Sequence, residues 1–171
     1  MSNCSLVIRL QNHDTDLETI CAINAAAFVE HGGTEAFDRF RAECNNILSL
    51  VAHVEDTLVG HVLFSPVTMT TPDGTVSGMG LGQLAVEPEW QNKGIGTELA
   101  ATGIDNLRTS GCPFIIVIGH ADYYPRFGFE PGASHGVKCQ WEGVPDDSFM
   151  VLFLDQSKQD KLRGIAGFDG L

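Results

Sequence analysis

The sequence lacks paired-cysteine patterns, long apolar runs and positive charge. Five cysteines, Cys4, Cys21, Cys44, Cys112 and Cys139, are an odd number without any C-x-x-C pair. Neither a disulfide framework nor a zinc site is indicated, and buried, reduced thiols are the expected state. No uninterrupted apolar run reaches membrane-spanning length. The opening Met1 to Arg9, MSNCSLVIR, has neither the basic start nor the apolar stretch of a signal peptide. A cytoplasmic location away from the membrane is therefore expected. Ten Lys and Arg face 22 Asp and Glu, a formal charge of −12. Such a charge repels phosphate backbones, so no nucleic-acid partner is expected, and a cationic partner or substrate is electrostatically easier.

What is present suits one soluble domain over residues 1–171, with enough apolar content, 43%, for one core. Ser5 to Gln11, SLVIRLQ, alternates as a strand does, and Asp14 or Asp16 can cap the helix predicted in DLETICAINAAAF. Gly32-Gly33 interrupts helicity, Thr34 offers an N-cap, and EAFDRFRAECNN spaces Phe37, Phe40 and Cys44 as a second, shorter helix would. From Leu48 to Val86, three runs rich in valine, leucine and threonine predict an antiparallel meander, hinged at Pro72-Asp73-Gly74. Ile95, Leu99, Gly103 and Leu107, with Ala100 and Ile104 beside them, form one face of an amphipathic helix. Glu98 and Arg108 complement its dipole, and Gly111 with Pro113 stops it. FIIVIG, Phe114 to Gly119, then predicts a buried strand parallel to LGQLAV, and SFMVLFLD, Ser148 to Asp155, is the last apolar run. The tail 156–171 carries no clear pattern.

The stretch WQNKGIGTELA, Trp90 to Ala100, takes the chain from strand to helix through two glycines. Such a turn aims unpaired backbone N–H groups and a helix dipole at an anion such as phosphate. It lacks the Gly-Lys-Ser or Gly-Lys-Thr of a P-loop, and Gly78-Met79-Gly80-Leu81-Gly82-Gln83 is not G-x-G-x-x-G, so both nucleotide motifs are disfavoured. The glycines alone also fit tight turns and close packing without a ligand.

Together, LGQLAVEPEWQNKGIGTELA and YYPRFGFEP resemble the GNAT superfamily of acyl-coenzyme A-dependent N-acetyltransferases. The first is similar to its central strand and Q/R-x-x-G-x-G/A loop, matched by Gln91, Gly94 and Gly96. The second is similar to a later motif in which a tyrosine, here Tyr124, shortly precedes Gly128-Phe129. The resemblance spans roughly residues 5 to 155. It implies an α/β (α+β) fold: a mixed, mostly antiparallel central sheet flanked by helices, with a parallel pair splayed apart at the coenzyme cleft.

It also implies acetyl-CoA as co-substrate, without a metal. Backbone N–H groups across Gln91, Asn92, Lys93, Gly94, Ile95 and Gly96, with Thr97, would hold the pyrophosphate, and Lys93 could add its charge. Leu84, Ala85 and Val86 would line the pantetheine arm like an added strand. Tyr124 would be the acid that protonates the departing sulfur, since a phenol keeps its proton at neutral pH; Tyr123 would pack beside it. Glu30, His31 and Glu87 are candidate acceptor-site residues or bases. The family often has an asparagine shortly before the tyrosine, where this chain reads Gly119-His120-Ala121-Asp122. The expected activity is direct acetyl transfer to a primary amine of a small molecule or peptide. A noncatalytic acyl-CoA-binding sensor or partner module is the alternative, and the resemblance leaves room for a homodimer.

Overall fold

The computed structural model describes residues 5–28 and 35–171. Glu30, His31, Gly32, Gly33 and Thr34 lie outside the described residues. Strand β1 (Leu6–Leu10) leads to helix α1 (Leu17–Ala27) and helix α2 (Glu35–Glu43). The meander follows as β2 (Leu48–Val54), β3 (Thr57–Thr71) and β4 (Gly74–Val86). Its hinge is as expected: Thr71 faces Gly74 across a two-residue loop, and the Thr71 hydroxyl donates to the Gly74 carbonyl at 2.9 Å. Helix α3 (Ile95–Thr109) connects β4 to β5 (Phe114–Ile118), and β4 and β5 are parallel. Short strands β6 (Glu130–Pro131) and β7 (Val137–Cys139) precede β8 (Phe149–Phe153), which pairs antiparallel with β5.

Two cores form because the sheet is covered on both faces. Ile20 and Ile23 of α1 and Phe40 of α2 pack with Leu63, Phe114 and Ile116. Ile95, Leu99, Ile104 and Leu107 of α3 pack on the other side with Ile115 and Val117. Strand β5 thus alternates between two apolar layers, which is why its sequence is continuously apolar. Each fully buried aliphatic side chain contributes about 1.5–3 kcal/mol to that packing.

One local expectation needs correction, and one segment left unassigned from the sequence takes shape. Asp16 occupies the position before α1 but makes no side-chain cap bond. Its carboxylate accepts from the Arg9 guanidinium at 2.7 and 3.0 Å and from the Asn12 N–H at 2.7 Å. The ion pair outcompetes the cap, and Arg9 holds the Asp16 carboxyl well below the usual carboxylate range. The tail is also structured: Gln156–Lys161 form a 3-10 turn, and Gly164–Phe168 form strand β9, paired with β3 and β7. Two glycines in GIAGF weaken the strand pattern, yet Ala166 and Phe168 are buried.

Strand β4 changes character along its length. Met79, Gly80 and Leu81 pair with Ile115, Ile116 and Val117 of β5. On that stretch Gly78 and Gly80 seat the rings of Phe114 and Phe168, and Gly82 seats Phe40; a Cβ at Gly78 would stand 2.5 Å from Phe114 Cζ. The run that failed as a nucleotide motif is a set of aromatic seats. Pairing of β4 with β3 then slips: Phe64 faces Leu81 and Leu63 faces Gln83, leaving Gly82 as an extra residue. A bulge bends its strand and increases local twist. Beyond it β4 runs on to Val86 without β5, and the two parallel strands splay.

Candidate active site

The turn after β4 is built from a short 3-10 segment, Pro88–Trp90, and two left-handed residues, Asn92 (φ +59°) and Gly94 (φ +85°). Nothing crowds Gly94, so its glycine requirement is conformational. Gln91 closes the turn from inside: its Nε2 donates to the Val86 carbonyl at 3.0 Å, and its own N–H donates to the Pro88 carbonyl. The first N–H groups of α3 have no partner within the helix and carry the positive end of its dipole. A cavity of about 430 Å³ opens at this turn, lined by Leu84, Val86, Trp90, Gln91, Asn92, Gly94, Ile95, Gly96, Thr97, Tyr123 and Arg126.

Lys93 does not line this cavity; its ammonium lies 4.5 Å from the centre of the Trp90 ring. The cation on the wall is Arg126, from the 3-10 turn Tyr124–Phe127. Its guanidinium lies over the Tyr123 ring at 4.1 Å, and its Nε–H donates to the Tyr123 carbonyl at 2.8 Å. Stacking plus one bond orients the guanidinium and leaves its remaining donors for an anion.

A second cavity, about 410 Å³, fills the splay between β4 and β5. Its walls are β4 from Leu81 to Val86, the end of β5 through His120, Tyr124, and Ala27 and Phe28 at the end of α1. Leu84, Val86 and Gln91 line both cavities, which makes one channel from the helix N-terminus into the splayed sheet. Tyr124 is 8% exposed, held edge-on to Tyr123 (5.2 Å) and Phe129 (5.8 Å). Burial, with Tyr123 adding to it, pushes its hydroxyl further above the ordinary phenol range, so it stays a proton donor. Gln83 is 7% exposed, and its Oε1 has no hydrogen-bond partner among the described residues. An unpaired buried carbonyl costs about 1–3 kcal/mol.

Of the residues named from sequence, Leu84, Ala85, Val86 and Gln91 line the splay, and Asn92, Gly94, Ile95, Gly96 and Thr97 line the cavity at the start of α3. Tyr124 lies in the splay, while Tyr123 packs on it and also lines the other cavity. Glu87 lines neither; its N–H donates to the Val59 carbonyl at the end of β4. Glu30 and His31 fall outside the described residues. Sequence reasoning missed Arg126, Gln83 and His120. Arg126 sits two residues after Tyr124, and Gln83 is the polar residue interrupting LGQLAV, so both carried a readable signal.

Another histidine is removed from this chemistry. His61 is fully buried, with Nδ1 3.2 Å from Asn24 Nδ2 and Nε2 2.9 Å from the Ser49 hydroxyl. The Ser49 hydroxyl donates in turn to Gln11 Oε1, which also accepts from Arg41. Burial, then the Arg41 charge, lowers the His61 pKa to about 3, and the ring is neutral. No cluster of three or more His, Cys, Asp or Glu able to hold a metal occurs among the described residues, and none of the described helices is long and apolar enough to cross a membrane.

Comparison with known proteins agrees with this geometry. Residues 8–132 match the family model described as an acetyltransferase (GNAT) domain. The Escherichia coli K12 protein named uncharacterized N-acetyltransferase YjhQ is 48% identical over 86 residues, covering 50% of this chain and 48% of YjhQ. Uncharacterized N-acetyltransferase YhbS of the same strain is 33% identical over 113 residues, covering 66% of this chain and 64% of YhbS. The sequence matches thus span about half of YjhQ and under two thirds of YhbS. The crystal structure of Escherichia coli YhbS in complex with CoA superposes with a TM-score of 0.83 at 26% identity, covering 95% of this chain and 89% of that one. A Brucella melitensis GNAT family acetyltransferase in complex with acetyl-CoA gives 0.74 at 27% identity, covering 96% of each chain. With a bulged β4 splayed from a parallel β5, a glycine turn at the start of α3, and a matching family model, this chain belongs to the GNAT acetyltransferase family.

Proposed function

We propose that the protein transfers an acetyl group directly from acetyl-CoA to a primary amine of a small molecule or peptide. The observation that carries this is the shared channel: one end offers N–H groups and Arg126, the other ends at Tyr124, and Leu84, Val86 and Gln91 connect them. The pyrophosphate would lie at the helix N-terminus against Arg126. The pantetheine arm would run along the open edge of β4, and the thioester would meet Tyr124. That the YhbS and Brucella melitensis structures hold CoA and acetyl-CoA supports the assignment.

The chemistry then needs two proton movements. The amine nitrogen attacks the thioester carbonyl carbon, a C–N bond forms, and the C–S bond breaks. The proton leaving nitrogen goes to a base, and one arrives at the coenzyme sulfur from Tyr124. His120 lines the splay together with Tyr124 and carries an imidazole nitrogen able to accept a proton, so we assign it as the base, directly or through water. Holding both reactants in one channel supplies much of the remaining rate enhancement through orientation.

The test is to incubate the purified protein with acetyl-CoA and a panel of amines that includes butylamine, putrescine, tryptamine, amino acids and peptides. Free thiol and product mass are followed together. Thiol release matched by an N-acetylated product is expected. Acetyl-CoA binding without transfer to any of these would favour the noncatalytic sensor instead.

A further inference from the structure

Gln83 belongs to neither role assigned above, yet it lines the reaction end of the channel. It faces Leu63 across the β3/β4 ladder, so it projects toward the α1 side of the sheet, where Ala27 and Phe28 close the cavity. The Gly82 bulge ends the β5 pairing there, so the cavity opens beside Gln83. Its Oε1 is left without a partner among the described residues although the side chain is more than nine-tenths buried. Buried polar groups are almost always paired, and an exception calls for a missing partner.

Resting on the transferase reading, we infer that the Gln83 side-chain carbonyl accepts a hydrogen bond from the N–H of the acceptor amine. The terminal amide turns about a broad, two-fold last torsion, which lets the oxygen swing to the cleft when an amine arrives. One N–H held by Gln83 fixes the direction of the nitrogen lone pair, which must point at the thioester carbon. Because the amide is neutral, it holds the uncharged nucleophile without trapping the ammonium form in a salt bridge. The acceptor class selected is therefore an amine that presents at least one free N–H in its neutral state. Gln83 is a substrate-positioning residue and moves no proton.

The test compares Gln83→Met and Gln83→Glu with the unaltered protein, using butylamine, putrescine and tryptamine as acceptors. Methionine keeps the length and removes the acceptor. It should raise the amine KM roughly tenfold, the scale of one lost hydrogen bond to substrate, with the acetyl-CoA Kd unchanged. It should also raise Tm, because an unpaired oxygen leaves the core. Glutamate keeps an acceptor but favours the ammonium, so the pH profile of kcat/KM for the amine should move to higher pH. An active Gln83→Met with an unchanged amine KM would overturn this inference alone. So would a Gln83→Met that loses Tm and acetyl-CoA affinity together, the mark of a purely structural residue. Unaltered protein that binds no acetyl-CoA and releases no thiol would instead strike the transferase reading.

Discussion

The two halves of β4 differ in what completes them. From Gly78 to Leu81 the strand is sealed: β5 pairs with it and phenyl rings occupy its glycine seats. From Leu84 to Val86 the same strand faces a cavity where β5 has departed. One bulged residue, Gly82, separates the halves. The contrast shows that the fold leaves a strand edge unpaired next to a helix N-terminus, and the two meet in one channel. The sealed half supplies stability, and the open half is where chemistry is expected.

The sharpest way to break this contrast is at the open end. Tyr124→Phe keeps the ring packing and removes the proton, so kcat should fall by about 10²- to 10⁴-fold while acetyl-CoA affinity holds; steady-state kinetics beside calorimetric titration check this. In the sealed half, Gly80→Val drives a side chain into the Phe168 ring. It should lower stability by about 1–3 kcal/mol, read as a drop in Tm, and in whatever remains folded the coenzyme Kd should change little. Arg126→Ala at the channel mouth should do the reverse, weakening acetyl-CoA binding roughly tenfold without moving Tm. If Arg126 meets the pyrophosphate, dephospho-CoA should lose as much affinity as CoA.

A further effect concerns pH. The His61 pKa is lowered to about 3, below the ordinary value of 6.5. The unfolded chain therefore binds more protons between those values. The contribution of His61 is fully present above about pH 6.5 and is lost progressively as pH falls toward 3. Asp16, held low by Arg9, adds a loss that begins as pH falls into the ordinary carboxylate range and continues below it. Tm should thus decline between pH 7 and 5 before the carboxylates titrate, and His61→Gln should flatten that decline.

Much of this architecture was legible because its signals are local. The Pro72-Asp73-Gly74 hinge, the apolar face of α3 and the doubly buried β5 each follow from spacing within one segment. The glycine turn was legible for the same reason, since Gly94 is needed for its own φ. What escaped depends on partners distant in sequence. The glycine run of β4 is explained by Phe40, Phe114 and Phe168, which only the fold brings together. β9 is a strand because β3 and β7 flank it, against its own two glycines. Asp16 looked like a cap until Arg9 claimed it. Lys93 was the cation expected at the turn, and Arg126 was not foreseen, because Trp90 and Tyr123 decide where each cation rests.

Residue-resolved amide hydrogen exchange with and without CoA tests whether the open half of β4 and the start of α3 form one coenzyme channel. Slowed exchange should appear at Leu84 to Val86 and from Gly94 to Thr97, while Met79 to Leu81, already paired with β5, stay as they were. Protection that appears elsewhere, with these two segments unchanged on a CoA-saturated protein, would contradict it.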